Sequence, residues 1–194
     1  NLNRAMQAAS GFAKRQQDAM SRARLLGLGF AYHIKATGGA PEEKVELNFE
    51  DDTLILTTGT QSIGQGHETT FPQIISEFLG VPIEKIRYRH GDTGLISKGG
   101  GHGSSRATYM GGTAMYLAIE KIIGKGKPIA AKLLQARETK IFYKKGQYRV
   151  SGSERAIDLF EVARAARQTN ASSDLSTLDT SQEFTRKHMT FPNG

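Results

Sequence analysis

The chain has 194 residues, 38% hydrophobic and 23% charged, a composition that supports one packed core of ordinary size and argues against disorder. It contains no cysteine, which excludes disulfides, thiolate metal ligands and a cysteine nucleophile and fits a cytoplasmic protein. No apolar run approaches the ~20 residues needed to span a bilayer, so no membrane partner is expected.

The net charge of +7 raises nucleic acid or another polyanion as a partner. Much of that charge sits in Arg4, Lys14, Arg15, Arg22 and Arg24, and the rest is scattered. No aromatic-plus-basic motif of an RNA-binding sheet accompanies it. A plain basic surface, or one that meets an acidic partner subunit, is the preferred reading, and a polyanion-binding α+β module is the alternative.

In chain order, the Ala-, Gln- and Arg-rich stretch 2–26 predicts a helix, and Phe30–Ile34 a buried strand. Gly38-Gly39-Ala40-Pro41 reads as a loop. Val45, Leu47 and Phe49 alternate with polar residues, Asp51-Asp52 turns the chain, and 53–58 returns as the second strand of a hairpin. Phe71, Ile74, Ile75, Phe78 and Leu79 mark one face of a helix, with Thr70 and Gln73 spaced as a capping box, and Gly80 stops it. A short strand over 86–89 and a glycine-rich loop over 91–103 follow. Helices are expected from Ser105 and again over 127–137, with small residues Ala107, Gly111, Ala114 and Ala118 near one face of the first. A second hairpin spans 141–151, Asp158 and Glu161 cap a helix ending near Arg167, and everything after Thr169 reads as loop. Strands and helices mix without strict alternation, so the fold class is α+β, a mixed sheet with hairpins and packed helices.

Two glycine-rich loops carry the candidate chemistry. The first holds Gly64, Gln65, Gly66 and His67, and the second holds Ser104, Ser105 and Arg106 after Gly99-Gly100-Gly101-His102-Gly103. Each leads into a predicted helix, whose free N–H groups suit an oxyanion. Glycine permits close backbone approach, Gln65 both donates and accepts, and Arg106 has the fork to grip a phosphate. Neither loop is a Walker or Rossmann motif, since the lysine of the one and the parallel strand–helix–strand of the other are not evident. No His-x-x-x-His pair supports a metal site, and Ser104-Ser105 lack the closing glycine of a nucleophile elbow. The loops alone leave an anion site and plain structural turns both open.

The run Thr57-Thr58-Gly59-Thr60-Gln61-Ser62-Ile63-Gly64-Gln65-Gly66-His67-Glu68 resembles the large subunit of molybdenum hydroxylases of the xanthine dehydrogenase/aldehyde oxidase type, aerobic carbon monoxide dehydrogenase-like members above all. The likeness continues through 73–82, Gly91-Asp92-Thr93, 103–108, 130–134 and 191–194. The resemblance implies a molybdopterin cofactor, in its cytosine dinucleotide form. It places Gly64, Gln65, Gly66 and His67, with Ser104, Ser105 and Arg106, against that cofactor. It also implies FAD and 2Fe-2S clusters on partner subunits or domains, an oligomer when complete, and no nucleic acid.

Three positions depart from the family pattern: Ser104 and Gly94 replace a common glycine and a second acid, and Ala107 replaces a common serine. The catalytic glutamate of the family lies in a later segment, so no catalytic or metal-ligating residue is assigned here. Residues 1–168 are then read as part of a cofactor-binding domain and 169–194 as a connector toward the remainder of the large subunit. The reading frame is expected to continue past Gly194, because Asn193-Gly194 turns a chain toward another element.

Overall fold

A computed structural model describes residues 2–31, 33–168 and 177–191, which divide into two units, Asn1–Ile34 and Lys35–Gly194. The first unit holds two short helices, α1 (Leu2–Ala8) and α2 (Phe12–Met20), where the sequence predicts one. Gly11, with φ 71°, separates them. Neither helix buries a side chain, so no core selects a continuous helix over two shorter ones. The strand expected at 30–34 does not form. Phe30 and Ile34 are exposed, Tyr32 lies outside the described residues, and no described strand pairs with this segment.

In the second unit β1 (Glu42–Glu50) and β2 (Thr53–Thr58) make the expected antiparallel hairpin, with Leu47 opposite Leu56. Burial along β1 alternates strictly and puts Glu43, Val45, Leu47 and Phe49 on the core face. β2 is buried from Leu54 to Thr58. Helix α3 (His67–Leu79) follows it and returns the chain to β3 (Ile86–Arg89), which runs parallel to β2. The expected capping box at Thr70 is not used. The helix begins at His67 behind Gly66, and the Thr70 hydroxyl bonds back to Gly66 O at 3.2 Å. Pro72 therefore lies beyond the first turn and leaves its i−4 carbonyl without a helical donor. Gly80 ends α3 in the left-handed conformation, as its position predicts.

The sheet is completed by β7 (Thr180–Thr185), antiparallel to β1, giving the order β3-β2-β1-β7. The sequence reads as loop there. What makes it a strand is the row of N–H and C=O groups on the outer edge of β1, which a short polar segment pairs as well as an apolar one.

A π-helical turn, Ala107–Gly111, leads into α4 (Gly112–Leu133). The sequence predicts a second helix starting at Lys127; instead α4 runs unbroken past Gly124, Gly126 and Pro128. Tyr148 explains the continuity. Its phenol lies against Gly126, where a Cβ would sit 2.0 Å from the hydroxyl, and it donates to Ile122 O and Ile123 O. A smaller sheet, β4 (Ile141–Lys144), β5 (Gln147–Val150) and β6 (Ala156–Asp158), carries that tyrosine. Helix α5 (Leu159–Gln168) starts on the predicted capping box: the Asp158 carboxylate accepts from Phe160 N, and Glu161 accepts from Asp158 N.

The core lies between the main sheet and the helices. Val45, Leu47, Leu54 and Leu56 pack against Phe71, Ile75 and Leu79 of α3 and Ala114, Met115, Ala118 and Ile122 of α4. Each large apolar side chain buried there contributes about 1.5–3 kcal/mol. The fold is α+β, with a mixed sheet, as expected.

Candidate functional site

Strand direction brings the two glycine-rich loops together. Because β2 and β3 are parallel, the loop after Thr58 and the loop after Arg89 leave the sheet at the same end. β1 is antiparallel to β2, so its first residues, Glu42 and Glu43, lie at that end too, and the last residue of β7 pairs with Glu42. All four strands thus present a chain end there, and for the parallel pair β2–β3 it is the carboxyl end, where open α/β sheets carry their ligands.

The first loop is built from its own hydrogen bonds. Thr60 N–H donates to Thr58 Oγ1, and Tyr88 donates its phenol proton to Thr60 O. Burial pushes that phenol up to about 12, so it remains a donor at any physiological pH. Gln65 folds back: its Oε1 accepts from Ile63 N and its Nε2 donates to Gln61 O at 3.0 Å. The amide that the sequence offers to a ligand is therefore occupied in shaping the loop. Gly64 and Gly66 have φ values of 105° and 82°, and a Cβ added at either would meet nothing within 4 Å. Their faces are open.

The second loop uses its glycines differently. A Cβ on Gly99 would lie 2.6 Å from Gly59 Cα, and one on Gly100 would lie 2.3 Å from Arg106 Nη2. The groups that approach these backbones closely belong to the protein itself. Lys98 ties the same loop to Glu42 and, at 2.9 Å, to Glu183. Between the loops lies a cleft of about 320 Å³ lined by Gly59, Gln61, Asp92, Thr93, Ser97 and Lys98 among others.

Arg106 is the largest departure from expectation. It is 1% exposed, and its guanidinium donates to Glu43, Gly38 O, Gly101 O and Glu42 O. Four of its five N–H bonds are thus spent inside the protein, which leaves no fork for a phosphate. Ser104 and Ser105, by contrast, stand half-buried and exposed, both with positive φ, at 58° and 56°. Such backbone is costly for a residue with a Cβ and occurs chiefly where the surroundings over-determine it. Here Gly38 N–H holds Ser104 O at 2.7 Å.

His67 joins the loops electrostatically. It is buried and stacks on Phe71 with ring centroids 4.5 Å apart. Burial holds the imidazole below its ordinary value of 6.5; Glu68 pulls it up, and His102 and His90 push it down. Glu68 itself is held below the usual carboxylate range, chiefly by the Ser62 hydroxyl that donates to it at 2.5 Å. Folding therefore favours neutral His67. Its stabilising effect is complete above 6.5 and is lost as the pH falls from there through the lowered folded value. His67→Phe should flatten the acid limb of a stability-versus-pH curve over that window. An unchanged acid limb in denaturant titrations would remove His67 as the cause.

Glu43 is the residue that the sequence reading missed. The signal was present, because counting back by two from Val45 puts Glu43 on the buried face of β1. Among the described residues, no group of three His, Cys, Asp or Glu side chains is placed to hold a metal ion. The site offers polar and hydroxyl donors, open glycine backbone and a neutral imidazole, a set that suits a polar organic ligand with phosphate oxygens.

The parallel pairing of β2 and β3 thus gives the domain a candidate ligand site at one end of its main sheet. The chain belongs to the molybdopterin cofactor-binding domain family, whose profile matches residues 5–194. It is similar to the carbon monoxide dehydrogenase large chain of Afipia carboxidovorans, with 29% identity over 93% of this chain and 24% of that one. It is also similar to subunit gamma of the 6-hydroxypseudooxynicotine dehydrogenase complex of Paenarthrobacter nicotinovorans, with 35% identity over 62% of this chain and 15% of that one. Among solved structures, Cu,Mo-CO dehydrogenase in its carbon monoxide-reduced state superposes with a TM-score of 0.73 and 27% identity, covering 97% of this chain and 26% of that one. The chain thus spans about a quarter of the length of the carbon monoxide dehydrogenase chain it matches. Family membership favours the cofactor reading over a polyanion-binding module.

Proposed function

We propose that this chain forms one wall of a molybdopterin site in the large subunit of a molybdenum hydroxylase. The observation that carries the reading is the convergence of two loops at one end of the sheet, one with open glycine faces and one fixed by internal contacts. Gly64, Gly66 and the start of α3 offer backbone N–H groups, Ser104 and Ser105 offer hydroxyls, and Gln65 keeps the first loop in shape. Neutral His67, stacked on Phe71, begins α3 without adding a charge. When bound, the cofactor supplies a two-electron oxidation that places oxygen from water on the substrate.

The remainder of the reading belongs to the complete enzyme. The pterin carries a cytosine nucleotide, and FAD-binding and iron–sulfur subunits take the electrons. The rest of the large subunit supplies the catalytic carboxylate, and the assembly is an oligomer in the cytoplasm. No helix among the described residues is long and apolar enough to cross a membrane.

The 194-residue chain alone is expected to retain no stoichiometric molybdenum and to show no hydroxylase activity. The full-length subunit, co-expressed with its partners, should carry both. Stoichiometric molybdenum in the isolated chain by elemental analysis would overturn that division of labour. A full-length assembled enzyme that purifies without pterin would overturn the cofactor reading itself.

A further inference from the structure

We propose that Glu43 and Arg106 form a buried latch that sets the position of the second glycine-rich loop, and that both act on the cofactor site as positioning residues rather than as ligands. The inference rests on the cofactor reading above only for the identity of what the loop meets.

The two side chains are 0% and 1% exposed and pair at 2.5 Å, Arg106 Nη1 to Glu43 Oε2. The cost of burying an ion pair is offset by further hydrogen bonds to its partners, and here such bonds reach four separate segments. Thr60 Oγ1 donates to Glu43 Oε2 at 3.0 Å, which brings in the loop after β2. Arg106 Nη1 also donates to Gly101 O at 2.6 Å, in the middle of the second loop. Its Nε reaches Gly38 O at 3.3 Å, and its Nη2 reaches the carbonyl of Glu42 on β1. The guanidinium lies flat where a Cβ of Gly100 would be, so the loop closes over it.

The same arginine begins the π-helical turn that follows Ser104 and Ser105. The positive-φ backbone of those serines is therefore held between a fixed Arg106 and the Gly38 N–H. Pulling the latch would release the serines, Gly101 and the first loop's Thr60 together. Arg186 holds the Gly38 segment from another strand end, donating to Thr37 O and Gly39 O. One oxygen, Glu43 Oε1, is buried with no hydrogen-bond partner among the described residues. The pair is thus held by geometry on one oxygen alone and should be sensitive to small changes.

The test uses the full-length subunit assembled with its partners, as wild type, Glu43→Gln and Arg106→Lys. Three quantities are read: pterin released per polypeptide, the circular dichroism of the bound pterin, and the rate of protease cleavage within residues 91–103. The latch predicts that both variants lose pterin at least tenfold, alter the dichroism of whatever remains, and cleave in that segment at least tenfold faster. A phosphate ligand predicts a different pattern: Glu43→Gln keeps wild-type pterin and dichroism while Arg106→Lys alone loses them. That pattern would overturn the proposal, and so would wild-type behaviour of both variants. Where a single variant fails to fold, the double variant Glu43→Gln/Arg106→Met leaves no charge buried; it should fold yet cleave rapidly in the loop. Slow cleavage in the double variant overturns the latch. If wild type itself binds no pterin, the cofactor reading fails, and the cleavage rates alone decide the latch.

Discussion

Gly59→Val is expected to destabilise the protein by about 3 kcal/mol, toward or beyond the upper end of ordinary overpacking costs. A Cβ at position 59 would lie 2.1 Å from Gly99 Cα and 2.8 Å from Lys98 O. Both contacts are backbone, so no flexible side chain can swing away to relieve them. The second loop has little freedom to retreat, because Lys98 is tied to Glu42 and Glu183 and Gly101 to Arg106. The change therefore either separates the two loops or strains the end of the sheet that carries them. For a domain of this size the loss corresponds to about 6–12 °C in Tm. Gly64→Ala is the contrasting control. Its Cβ meets nothing, and its cost comes from the positive φ alone, on the order of 1 kcal/mol. Equal midpoints for Gly59→Val and wild type in thermal unfolding would show that the loops do not pack as described.

Arg106→Met is expected to cost about 3–5 kcal/mol, the range for breaking one partner of a buried pair. The number follows from what remains behind. Glu43, at 0% exposure, would keep a carboxylate supported only by the Thr60 hydroxyl, and three backbone carbonyls would lose a charged donor. The double variant Glu43→Met/Arg106→Met should be considerably less damaging than the single one, since replacing both charges with apolar side chains of similar size is often neutral. A double-mutant cycle thus measures the pair directly, with a coupling of about 2–3 kcal/mol expected for contacting residues. Additive effects of the two substitutions would mean that they do not form one unit in solution.

The two changes are linked by how the site is assembled. Gly59 and Arg106 grip neighbouring stretches of the second loop, Lys98-Gly99 by backbone contact and Gly100-Gly101 by the buried guanidinium. The first loop depends mainly on its own Gln65 and Thr60 bonds. A ligand at this end of the sheet would therefore meet a braced second loop and, on the first loop, open backbone at Gly64 and Gly66.

Much of this protein is written locally. The β1–β2 hairpin, the apolar face of α3, the glycine stop at position 80 and the capping box of α5 follow from residues within one or two turns of each other. The family resemblance is likewise carried by contiguous runs, 57–68 with 73–82 and 103–108 among them.

Tertiary structure decided the rest, wherever the partner is distant in sequence. The parallel pairing of β2 with β3 is what places both loops at one end of the sheet, and nothing in either strand states its direction relative to the other. β7 becomes a strand because β1 offers it an edge, and α4 survives three helix-weakening residues, Gly124, Gly126 and Pro128, because Tyr148 packs against it. Arg106 reads as a ligand from its neighbours in sequence and becomes an internal strut because Glu43, sixty-three positions away, is folded onto the same face. Local periodicity and capping report free energies that a few neighbouring residues determine among themselves. Whether a charge meets a ligand or a buried counter-charge depends on which distant backbone closes over it, and only the packed chain settles that.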